Sequence, residues 1–139
     1  ARLAANNITE DDIEELREIL EKEKQAFAEM NRSDAYFIGG EFHKKIVEIA
    51  GNSCLAKYVE DVIIETNIYD VFYLLNDPLS DHEFFTIRQH NEIFEALVQN
   101  DAELAEKLMG EHILTLESQL NLVCHDEVDN LSILLNDTL

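Results

Sequence analysis

Hydrophobic residues recur along most of this chain at the three- and four-residue intervals of a helix with one buried face. Ile13, Leu16, Ile19, Leu20 and Phe27 mark the first long stripe, and Glu23 lies in phase among them. Thr9 precedes the stripe as an N-cap. Glu10, Asp11 and Asp12 follow in the first turn, where the helix dipole favours acids. The pattern predicts a helix to about Asn31, then a second from Ser33 or Asp34 to Ala50, closed by Gly51-Asn52 as a left-handed stop. From Ser53 to about Leu75 the pattern widens: Val59, Val62, Ile63 and Thr66 form one face, and Ile64, Ile68, Val71, Phe72 and Leu75 form another. A helix apolar on two sides is expected to be covered on two sides, at the centre of a bundle or against a second subunit.

Asn76-Asp77-Pro78-Leu79 breaks the periodicity, and Ser80 with Glu83 reads as a capping box opening the next helix. Asn100-Asp101 ends that helix and caps another, from Ala102 to about Cys124. Arg2-Leu3-Ala4-Ala5 reads as the end of a helix that began upstream, so the chain is expected to be a piece of a longer protein. Val128, Leu131, Leu134 and Leu135 give a last short pattern in a tail at 126–139.

Four Gly and one Pro in 139 residues, against abundant Glu, Leu, Ala and Ile, favour long helices joined by short turns. The fold class is therefore all-α, an antiparallel helical bundle of about six to seven helices built on one core. A formal charge of -20 would repel a phosphate backbone, which argues against these residues forming a nucleic-acid surface. Cys54 and Cys124 are too few for a disulfide framework, and each is expected as an ordinary buried thiol, which fits a reducing cytoplasm. No stretch approaches a membrane span, and the N-terminus does not resemble a signal peptide.

Chemistry concentrates in three histidines. His43 falls in phase with Tyr36, Ile46, Val47 and Ala50; His90 with Ile87, Phe94 and Leu97; His112 with Ala105, Leu108, Met109 and Leu116. All three therefore point inward from three different helices. A buried imidazole needs partners for both ring nitrogens, and three of them can share one solution in a divalent ion: Zn first, with Ni, Fe or Mn as alternatives. Satisfied core histidines with no ion are the competing reading. His-Glu-x-x-His and Glu-x-x-His motifs do not occur, which removes the zincin proteases and the di-iron bundles. Gly39-Gly40 in mid-helix points to close packing or to an opening beside the backbone. Thr66 and Asn67 are candidates for hydrogen-bonding a small ligand there, or for satisfying polar needs in the core.

Taken in order, Phe42-His43, Gly51-Asn52, Gln89-His90-x-x-Ile93-x-x-Ala96-Leu97, Asn100-Asp101-x-x-x-Ala105 and Met109-x-x-His112 resemble the FadR-type C-terminal domain of GntR-family transcription regulators. The resemblance runs from about Ala4 to Leu120, and the last two histidines stand 22 residues apart. It implies a sensor domain spanning 1–125, a homodimer, and a small carboxylate effector. It also implies DNA contact only through a winged-helix domain preceding this chain. Many members of that family hold a metal through an Asp and three His, and the three His match His43, His90 and His112. The family's Asp stands four residues before the first histidine, where this chain has Gly39. Glu41 projects to another side of the helix. The resemblance thus implies a metal site without its carboxylate, its open positions filled by water or by an anionic effector contacting Gly39, Thr66 and Asn67. A three-histidine hydrolase and a metal-free dimerisation bundle are the alternatives.

Overall fold

The computed structural model describes residues 1–73 and 82–118, with side chains described for 1–66 and 85–118. Its helices are α1 (Arg2–Asn7), α2 (Glu10–Ala28), α3 (Arg32–Ile49), α4 (Ser53–Tyr73), α5 (His82–Val98) and α6 (102–118), and the described residues contain no strand. The all-α bundle expected from the sequence is the fold observed. Ser80 and Glu83, Cys124 and the 126–139 tail lie outside the described residues or side chains.

Local chemistry sets the helix ends. Thr9 caps α2 in a reciprocal box: its hydroxyl accepts from the Asp12 amide at 3.2 Å, and the Asp12 carboxylate accepts from the Thr9 amide at 3.1 Å. α2 closes with Met30 in the left-handed region at φ 60°. The Asn31 amide returns to the Ala26 carbonyl and the Met30 amide to the Phe27 carbonyl. The cap of α3 is Asn31, whose side chain accepts from the Asp34 amide, and not Ser33 or Asp34. That chain reversal begins the helix two residues early. Gly51, at φ 68°, is the expected left-handed stop, and Asn52 then caps α4 by accepting from the Leu55 amide. Asp101 caps α6 by accepting from the Leu104 amide.

Stripes from α1, α2, α3, α5 and α6 meet in one core containing Ala4, Leu16, Leu20, Phe42, Ile46, Ile93, Leu97 and Ala105. A smaller apolar group, Ala26, Phe27 and Ala35, closes the bundle near the α2–α3 turn. Lys45 of α3 reaches Asp12 at 2.9 Å and Glu15 at 2.5 Å, tying α3 across the start of α2.

Two expectations change here. Over residues 53–66 helix α4 is not central within the chain: it has no buried residue there, and Leu55, Tyr58, Val62 and Ile64 are exposed, while Ile68, Val71, Phe72 and Leu75 of the second face lie outside the described side chains. It packs on α3. Cys54 is an exposed free thiol, because the first turn of α4 projects clear of the core.

Candidate metal centre

Three helices deliver the three imidazoles to one point. His43 comes from the middle of α3, His90 from the middle of α5 and His112 from α6, and their candidate ligand atoms all lie within 4.8 Å of one another. His112 Nε2 is 3.2 Å from His90 Nε2 and 3.2 Å from His43 Nε2. His90 and His112 are buried and His43 is partly buried. Phe42, one residue before His43, lies with its ring 4.6 Å from that of His90 and walls the cluster off from the apolar core.

The outer ring nitrogens are held. His90 Nδ1 donates to Glu23 Oε2 at 3.0 Å, because a carboxylate has only lone pairs to offer. His112 Nδ1 donates to Gln89 Oε1 at 3.0 Å. The Gln89 amide nitrogen faces Thr115 Oγ1 at 3.5 Å, and that hydroxyl already donates to the Glu111 carbonyl, so its lone pairs are turned toward Gln89. With both Nδ1 atoms protonated, Nε2 of His90 and Nε2 of His112 are bare acceptors facing each other. A proton on His43 Nε2 can bridge to His112, but neutral rings leave the His90 lone pair with no donor.

Burial, followed by the neighbouring His90 and His112, holds the His43 imidazole well below its usual range. Burial first and then His90 push His112 down to about 3. At neutral pH these two rings are therefore uncharged, the form that binds metal.

Beside the cluster is a cavity of about 60 Å³ bordered by Glu23, Gly39, His43, Thr66, His90 and His112. That is room for a few waters or for an ion with a small ligand. Gly39 and Thr66, expected near a ligand, do line it; the Thr66 hydroxyl donates within its own helix to Val62 and Ile63. The Asn67 side chain lies outside the described ones.

One expectation needs correction. A buried carboxylate does stand beside the histidines: Glu23 of α2 is 1% exposed and contacts His90, and its Oε1 has no hydrogen-bond partner among the described residues. The signal was in the sequence, an acid in phase with Leu16, Leu20 and Phe27. Gln89 was likewise visible beside His90 in the motif. Glu41 is exposed and pairs with Lys44 on the surface, away from the cluster.

Fold and site together define the class: an all-helical domain with a histidine-lined cavity beside its core. Residues 1–115 match the FCD domain, and the chain belongs to that family. Among curated proteins it is similar to the HTH-type transcriptional repressor RspR of Escherichia coli K12, at 26% identity over 93% of this chain and 55% of that protein. A protein of Shigella flexneri named as the uncharacterized HTH-type transcriptional regulator YdfH matches to the same extent. The chain thus spans about half the length of the curated relatives it matches. No solved structure matches it. Among the described residues, no helix is long and apolar enough to cross a membrane.

Proposed function

We propose that this chain is the effector-sensing, dimerising part of a cytoplasmic HTH-type transcription regulator, and that it holds a divalent ion, zinc first, between His43, His90 and His112. The observation that carries the metal reading is the 3.2 Å approach of His90 Nε2 to His112 Nε2, with the far nitrogen of each ring bonded to Glu23 or Gln89. Two imidazoles bound to one tetrahedral zinc at about 2.0–2.1 Å would bring their nitrogens to roughly 3.3 Å, close to the spacing found. Facing lone pairs repel unless a cation lies between them, and the donor set is three imidazoles of the kind zinc, nickel and iron accept. Glu23 Oε1, without a hydrogen-bond partner among the described residues, adds an acceptor beside the cluster.

When bound, the ion would supply a Lewis-acidic centre with positions open toward the cavity. A small carboxylate fits that chemistry, with Thr66 and the glycine wall at Gly39 as its neighbours. Occupancy links α3, α5 and α6 through their histidines. An effector that prefers one arrangement of those helices shifts the population toward it, and a DNA-binding domain joined to this one can read that shift.

Metal content and zinc titration of the purified chain test the reading. One ion per chain is expected. His112→Ala should lose most of the bound metal and melt several degrees below the metal-loaded wild type. A wild-type chain that takes up no zinc, nickel, iron or manganese rules the metal reading out, and full occupancy in the variant removes His112 from the site. A rise in melting temperature with small carboxylates, greater with zinc present than without, is the expected signature of sensing.

A further inference from the structure

Glu23 and Gly39 face each other across the edge of the cluster. A Cβ built on Gly39 would stand 2.8 Å from Glu23 Oε1 and 3.4 Å from His90 Cε1. Any side chain at position 39 would therefore displace the Glu23 carboxylate, and the glycine is what lets an acid from α2 reach the histidines of α3 and α5. The carboxylate does two things there. Oε2 accepts a hydrogen bond from His90 Nδ1–H and so aims Nε2 at the shared point. Oε1 is buried with no partner among the described residues, and Glu23 borders the cavity. A buried acceptor left unpaired is costly, and a native site keeps one where a guest completes it.

We propose that Glu23 is the carboxylate of this metal site, a positioning residue supplied from α2 through the gap at Gly39, where the resemblance expects an acid on α3 itself. The site has moved its negative charge to another helix, and Glu23 and Gly39 work as a pair. This inference rests on the metal reading above.

The test is zinc titration of the whole chain and three variants, Glu23→Gln, Glu23→Ala and the double change Glu23→Ala with Gly39→Asp. The stability of each metal-free form and the His90 ring-nitrogen NMR signals are followed alongside. Glu23→Ala should weaken zinc binding by about 10- to 100-fold, the usual loss for a carboxylate behind a ligating histidine. It should also shift the His90 tautomer away from the Nδ1–H form. Glu23→Gln keeps an acceptor for Nδ1 and loses the charge, so its affinity should fall between wild type and Glu23→Ala. The double variant returns an acid to α3 in the space that Glu23 vacates, and should recover most of the affinity lost by Glu23→Ala. Wild-type affinity in Glu23→Ala, with the His90 tautomer unchanged, overturns the proposal and leaves the three-histidine site standing. A double variant no tighter than Glu23→Ala overturns the pairing with Gly39. If the wild type binds no zinc, this proposal and the metal reading both fall. Should Glu23→Ala not fold, Glu23→Gln still decides, since unchanged zinc affinity there also overturns the role of the charge.

Discussion

At the scale of single residues, the histidine cluster depends on side chains that do not themselves face the shared point. Gln89 is the clearest. Its carbonyl oxygen holds Nδ1 of His112, and its amide is oriented by Thr115 one helix away. Gln89→Leu keeps the bulk and removes the acceptor, leaving a partly buried N–H unpaired or the ring free to take its other tautomer. The expected result is a stability loss of about 1–3 kcal/mol in the metal-free chain and roughly tenfold weaker zinc binding, read by denaturant unfolding and by titration. Unchanged affinity would show that His112 is oriented by packing alone. Phe42 serves the same end from the apolar side, since its ring against His90 fixes the plane of the imidazole. The three histidines were legible in the sequence because an imidazole on an apolar stripe stands out. Glu23 was on a stripe too, but periodicity reports only which way a side chain points. That its oxygen meets Gly39 depends on how α2 crosses α3, and no intrahelical spacing encodes that crossing.

At the scale of elements, helix starts and stops carried most of what could be read in advance. Thr9, Gly51 and Asp101 act as the sequence implies, because caps are chosen by neighbours in the chain. The reversal at Met30 was missed because a methionine carries no turn signal, and a non-glycine left-handed residue there costs about 1–2 kcal/mol. Over residues 53–66 the central placement of α4 did not hold for a different reason: an apolar face states that something covers it, not what. Between elements, the link from Lys45 to Asp12 and Glu15 makes the α2–α3 contact sensitive to pH at both extremes. The Thr9 hydroxyl and then Lys45 hold Asp12 below its ordinary 3.8. Its contribution is therefore complete above about pH 3.8 and is lost as pH falls through its lower folded value. Hydrogen bonds donated to Glu15 and Asp12 raise Lys45 above 10.5, so its share is complete below that pH and is lost as pH rises through the higher folded value. Lys45→Met should cost about 1 kcal/mol near neutrality and flatten the alkaline loss relative to wild type, measured by urea unfolding across pH. A variant with the same alkaline slope as wild type would remove this bridge from the account of stability.

At the scale of the whole molecule, the acidic surface and the buried cluster divide the labour of a regulator. Sensing needs a preorganised cavity, and the bundle offers one by burying Phe42, His90 and His112 where α3, α5 and α6 meet. DNA contact needs the opposite, a basic surface that neutralises phosphates and releases their counterions. This chain carries 30 Asp and Glu against 10 Lys and Arg, and its lysines and arginines are largely engaged with acids: Arg2 with Glu106, Lys44 with Glu41 and Glu60, Lys45 with Asp12 and Glu15, Lys107 with Glu111. A zinc ion adds two charges in the interior and leaves that balance almost unchanged. The chain alone, with or without metal, should therefore show no binding to duplex DNA in fluorescence anisotropy at about 0.15 M salt, and lowering the salt should not produce it, because less screening strengthens the repulsion. A tight complex that weakens steeply with salt would mean that these residues form a phosphate-binding surface, and DNA contact could then no longer be assigned to a separate domain.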